Sequence, residues 1–212
     1  MSYSDVLHRI VVGDLGVRDG VPALVDRATG RFSVDEGRLL DYKLVLNPEQ
    51  TSSIAEVARD ILAFSNTDGG LLLIGVTDQD HAVINHQPID FRRLRALLGP
   101  YIGTRVNFDL EECPVSALGR DNRLIVATVR RSQAAYPNQL RKDIELRPGL
   151  VRKLKYLRGT LFYRDEAETL SDHHMEILNL VLETWVFPVP LPVPEVGSCF
   201  KKTSLDFAFM RL

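Results

Sequence analysis

The chain runs to 212 residues, with 45% hydrophobic and 25% charged side chains and a net charge of −2, the size and balance of one ordinary globular domain with room for a small appendage. That excludes two large domains, a fibrous or wholly disordered chain, and a uniformly cationic surface for nucleic acid, so any such binding must come from a local patch. No apolar run approaches the roughly 20 residues of a membrane-spanning helix, and the opening MSYSDVLHRI lacks the basic-then-apolar pattern of a signal peptide, so the expected compartment is the cytoplasm, without membrane contact.

Gly13, Gly16, Gly20, Pro22 and Gly30 punctuate residues 1–34, which read as a lead-in with one short helix and at most one strand. Residues 38–46 alternate in part, with Leu40, Tyr42, Leu44 and Leu46 on one face and Asp41 and Lys43 on the other. This suits a half-buried strand, ended by Asn47-Pro48. Next, Ile54, Val57, Ala58, Ile61 and Leu62 fall at i, i+3, i+4, i+7 and i+8, the stripe of a core-facing helix over 51–65 that Thr51 or Ser52 can cap. The helix breaks at Asn66-Thr67-Asp68-Gly69-Gly70, after which 71–76 is a continuous apolar run of strand length. A strand apolar throughout must be covered on both faces, which places it centrally in a sheet with the helices packed on it.

Asp78-Gln79-Asp80 turns into a short strand at 82–84, and Phe91, Leu94, Leu97 and Leu98 mark a second amphipathic helix over 89–98, ending at Gly99-Pro100. Strands are expected at 106–110, 124–129 and 161–163. A last helix is expected at 174–185, with Met175, Leu178, Val181 and Leu182 on its apolar side. From Phe187 to Pro194 proline recurs so often that the chain must be extended. The fold class is therefore α/β (α+β), a mixed β-sheet with amphipathic helices packed on it. The organisation is a lead-in (1–34), a main domain (35–186) and a proline-rich tail (187–212). Cys113 and Cys199 show no metal-binding spacing and read as free thiols, Cys113 buried.

Between positions 141 and 164 the basic residues Arg141, Lys142, Arg147, Arg152, Lys153, Lys155, Arg158 and Arg164 stand against only Asp143 and Glu145. Such a run is read either as a solvated face or as a set of phosphate contacts. Tyr136, Tyr156 and Tyr163 lie in or beside it, a mixture that suits base stacking, although tyrosines are more commonly buried. No Walker phosphate loop, serine-nucleophile motif or Cys/His pair is present, and His173 and His174 read as solvated residues of a helix start.

Three blocks of sequence resemble the AlbA_2 domain of the Schlafen family: Glu36-(four residues)-Asp41-Tyr42-Lys43, Ala63-Phe64-Ser65-Asn66-Thr67-Asp68-Gly69-Gly70, and Leu73-Ile74-Gly75-Val76-Thr77-Asp78. Gly159-Thr160-Leu161-Phe162-Tyr163-Arg164 looks like the family's closing strand. The resemblance spans roughly 36–185 and implies a nucleic-acid-binding domain. In the members that cleave RNA, the acids at the positions of Glu36, Asp41 and Asp78 form a carboxylate trio for metal-assisted cleavage. That implies Mg²⁺ or Mn²⁺ held by Glu36, Asp41 and Asp78, with Lys43 on the phosphate. The departures are Asp41 for the longer glutamate, Tyr42 for phenylalanine and Thr77 for one of two aspartates.

The functional expectation is a module that binds RNA or single-stranded DNA, with Lys43, Arg147, Arg152, Lys153, Lys155, Arg158 and Arg164 as phosphate contacts. Metal-dependent endoribonuclease activity is its sharper form. A non-catalytic regulatory module, with the proline-rich tail docking a protein partner, is the alternative; ATP binding is the weaker one. Eukaryotic Schlafen cores clamp nucleic acid between two such lobes, so the resemblance also implies a homodimer here.

Overall fold

The computed structural model describes residues 2–134, 136–146, 153–166 and 168–171, with backbone alone at 145–146 and 153–155. The helix expected over 174–185, the proline-rich tail, Cys199, His173, His174, Arg147 and Arg152 lie outside the described residues. The side chains of Lys153 and Lys155 do too.

Helix α1, Tyr3–Val12, opens with a capping box in which the Asp5 N–H donates to Ser2 Oγ and the Ser2 N–H donates to Asp5 Oδ2, so two otherwise orphaned donors are satisfied at once. A short helix α2, Val17–Gly20, leads through a 3₁₀ turn, Val21–Leu24, into the hairpin of β1, Val25–Asp26, and β2, Arg31–Phe32. Residues 2–34 are thus more than the expected lead-in. Val6, Leu7, Ile10, Val11, Val21 and Leu24 pack on one face of the main sheet, against Leu71, Leu73, Leu124 and Val126.

That sheet comprises β3, Leu40–Lys43; β4, Gly70–Ile74; β5, Phe108–Ala117; and β6, Arg120–Val129, in the order β3-β4-β6-β5. Between β3 and β4 lies helix α3, Thr51–Asn66, and between β4 and β5 helix α4, Phe91–Ile102. β3 runs parallel to β4, as the intervening helix requires, and the other pairings are antiparallel. Every residue of β4 is buried, and the strand is central, as its apolar run predicts. Its odd residues face the α1 layer, while Leu72 and Ile74 face α3 and α4.

Several boundaries differ from those expected. α3 starts after Gln50 with no side-chain cap, so neither Thr51 nor Ser52 serves. α4 carries Pro100 inside its last turn and ends at Gly103, φ 73°. β5 and β6 are ten residues each, because Leu118 and Gly119 both take positive φ, 52° and 69°, and close a two-residue hairpin whose twist matches the strands. Pro114 is tolerated because β5 is an edge strand. Beyond the sheet, β7, Ile144–Leu146, pairs with β8, Lys153–Tyr156, and β9, Phe162–Asp165, with β10, Glu168–Ser171. β9 packs on α3. Among the described residues no helix is long and apolar enough to cross a membrane.

Candidate functional site

β3 is the open edge of the sheet beside α3, and alternation puts Asp41 and Lys43 on the α3 side while Leu40 and Tyr42 face the other layer. An edge strand exposes unpaired backbone groups. Here side chains satisfy them: Glu36 Oε1 accepts the Tyr42 N–H at 2.9 Å, and the Arg164 guanidinium donates to Leu40 O and Gly37 O, both at 3.1 Å. Tyr42 is buried, and its hydroxyl donates to Val34 O at 2.6 Å, so the hydroxyl that replaces a phenylalanine edge ties down the segment carrying Glu36.

The charges form one connected cluster. Arg164 Nη2 donates to Asp41 Oδ1 at 2.9 Å and Lys43 Nζ to Asp41 Oδ2 at 2.7 Å. The same ammonium lies 3.2 Å from Asp60 Oδ2. Asp60 is 0% exposed on the core-facing side of α3, and its Oδ1 also takes Arg59 Nε and Thr169 Oγ1. Burial alone would lower the Lys43 pKa, but the charges of Asp60 and Asp41 outweigh it and hold the ammonium protonated. Arg59 is likewise raised, its burial outweighed by Asp60. Burial pushes the Glu36 carboxyl above its ordinary value, and the charge of Asp41 adds to this.

Glu36, Asp41 and Asp78 line one cleft of about 640 Å³ together with Lys43, Arg59 and Arg164. Asp78 stands exposed at its rim after β4. The neighbouring Thr77 accepts the Ala82 N–H at 2.8 Å, so the residue that replaces an aspartate instead shapes the turn at 77–82. Among the described residues no group of three or more His, Cys, Asp or Glu side chains is arranged to hold a metal ion. The donors are oxygens of the class Mg²⁺ or Mn²⁺ prefers, but both oxygens of Asp41 are engaged by cations and Glu36 Oε1 holds a backbone N–H. A unit charge repels another by about 4 kcal/mol at about 4 Å and an effective dielectric of about 20, and a divalent ion beside Lys43 doubles that. The residues as arranged do not fit a divalent ion.

Of the basic residues, Arg164 is not a surface phosphate contact: it is 2% exposed, stacks its guanidinium 5.2 Å above the Phe64 ring and neutralises Asp41. Lys43 is a quarter exposed and held by two carboxylates. Arg141, Lys142 and Arg158 are exposed. Their loops lie side by side, through Gly159 N to Leu140 O at 2.8 Å and Arg158 N to Asp143 Oδ1 at 2.6 Å. Of the tyrosines, Tyr163 is buried and Tyr156 meets Phe162 edge-on, whereas Tyr136 is 70% exposed.

Asp60 and Arg59 belong to the cluster although the sequence reading assigns them no role. The signal was present, since Asp60 shares the core stripe of Val57, Ile61 and Phe64 at i, i+3, i+4 and i+7, and an acid placed there needs a cation. Asn66, within the glycine-turn motif, is a clamp: its carboxamide donates to Asn138 O and Phe162 O and accepts the Asn138 N–H at 2.6 Å.

A mixed sheet layered by helices, with a charge-balanced cleft at its β3 edge, defines an α/β domain built around the 36–78 motif blocks. The chain belongs to the Schlafen AlbA_2 family, whose model matches residues 36–170. No curated protein matches this chain. Among solved structures, the DIP2311 protein from Corynebacterium diphtheriae is 19% identical, with a TM-score of 0.44 over 72% of this chain. The present chain spans 30% of that protein's length.

Proposed function

We propose that this chain is a nucleic-acid-binding module that holds RNA or single-stranded DNA through exposed basic residues of the 141–158 stretch. The carrying observation is that Arg141, Lys142 and Arg158 stand exposed on adjoining loops, where backbone phosphates can reach them. Tyr136, exposed nearby in sequence, supplies a face for base stacking. Family membership supports the same class of ligand. Gel shifts with single-stranded RNA and DNA of several sequences test this reading, which expects binding with little sequence preference; no shift of either polymer at low salt counts against it.

A second reading, metal-dependent endoribonuclease activity with Mg²⁺ or Mn²⁺ at Glu36, Asp41 and Asp78, rests on the three carboxylates lining one cleft. Asp41's engagement by Lys43 and Arg164 weighs against it. Incubating structured RNA with either ion separates the two: cleavage by the unmutated protein that Asp78→Asn abolishes supports the enzyme, and intact RNA supports the binding module. A homodimer that supplies a second lobe, and a protein partner for the proline-rich tail, complete the proposal.

A further inference from the structure

The β3–α3 cleft holds two acids below its mouth, Asp41 at 3% exposure and Asp60 at 0%. Both point an oxygen at the same atom, Lys43 Nζ, at 2.7 and 3.2 Å. Asp60 Oδ2 has no hydrogen-bond partner of good geometry and meets Lys43 as an ion pair, while its Oδ1 is held by Arg59 and Thr169. Lys43 thus occupies a point between two buried carboxylates where a small hard cation would otherwise be the natural guest. Arg59 and Arg164 take the remaining oxygens. Counting Asp41 and Asp60 against Lys43, Arg59 and Arg164, with Glu36 at the edge, the interior of the cleft is already balanced.

We propose that Lys43 is the resident cation of this cleft: its ammonium stands between Asp41 and Asp60, takes the place of a divalent ion and keeps one out. The inference concerns this chain's own side chains and does not depend on nucleic-acid binding, so its test uses no nucleic acid. Removing the ammonium frees Asp41 Oδ2 and Asp60 Oδ2 together and converts an internal ion pair into a vacant pair of oxygen donors. Lys43→Met keeps the length of the side chain and deletes its charge.

The experiment titrates the full chain with Mn²⁺ alone and reads the free-ion electron paramagnetic resonance signal, for the unmutated protein, Lys43→Met and Lys43→Met/Asp60→Asn. The expected result is one Mn²⁺ bound by Lys43→Met at least about tenfold more tightly than by the unmutated protein, a gain lost again with Asp60→Asn. If Lys43→Met unfolds because its carboxylates are left without a counter-charge, Mn²⁺ should restore the circular dichroism of the folded state, since a ligand that binds only the native form stabilises it. Equal Mn²⁺ affinity of the unmutated protein and Lys43→Met would overturn the proposal. So would a Lys43→Met chain that neither binds nor refolds with millimolar Mn²⁺.

Discussion

Glu36 holds its place at a cost. Its carboxylate closes the β3 edge by accepting the Tyr42 N–H, yet burial and the charge of Asp41 raise its pKa above the ordinary 4.5. For a raised acid, the folded state keeps its proton at pH values where the unfolded chain has released it. Stability from this group is therefore full below pH 4.5 and falls as the pH climbs through the raised folded value. Glu36→Gln keeps an oxygen for the Tyr42 N–H and removes the charge, so it should raise the denaturation midpoint at neutral pH and give no gain in acid. Urea titrations at both pH values check this. Asn66 is the opposite case, a motif residue whose work is structural. Asn66→Ala leaves the buried Asn138 N–H without its acceptor and two carbonyls without this donor. The expected loss is about 2–4 kcal/mol of unfolding free energy by urea denaturation.

At the level of elements, the α3-to-β4 turn leaves no room for a side chain at either of its glycines. Gly69 takes φ 80°, where a Cβ would meet Val129 O at 2.7 Å, and a Cβ on Gly70 would run into the Phe64 ring. Gly70→Ala should therefore cost about 1–3 kcal/mol through forced repacking, seen as a lower melting temperature in a calorimetric scan. This unit was legible in the sequence because its signals are local: a helical stripe, a double glycine and an apolar run follow one another without a gap. The β5–β6 hairpin was legible only in part. Its turn uses Leu118 where a positive φ favours Asn, Asp or Gly, so the outer halves of both strands carried no boundary mark. In the cleft, Glu36, Asp41, Asp78 and Lys43 were identifiable through the family resemblance of their motif blocks, and the structure lines one pocket with them. The pairings that decide their chemistry were less so: Arg164, read as a phosphate contact, reaches Asp41 from more than a hundred residues away in the chain, and the acid of Asp60 within an apolar stripe marks the need for a cation without naming which one.

The described residues are layered on both faces of one sheet. Residues 2–34 carry no sequence mark of a layer because their glycines break any long periodicity, although Ile10, Val21 and Leu24 are fully enclosed. Their deletion should expose Leu71, Leu73 and Val126 and leave an aggregating chain, which light scattering would register. The proposed homodimer predicts a sedimentation coefficient of two chains at micromolar concentration with nucleic acid present, and a monomer under those conditions contradicts it. The central claim, that the basic surface around Arg141 and Arg158 grips nucleic-acid phosphates, is tested most directly by fluorescence anisotropy of a labelled single-stranded RNA across a salt series, for the unmutated protein and Arg141→Glu/Arg158→Glu. Affinity should fall linearly on logarithmic axes as salt rises. The double variant should bind every sequence more weakly, with a slope shallower by about two. An unchanged affinity and an unchanged slope in the double variant would contradict the claim.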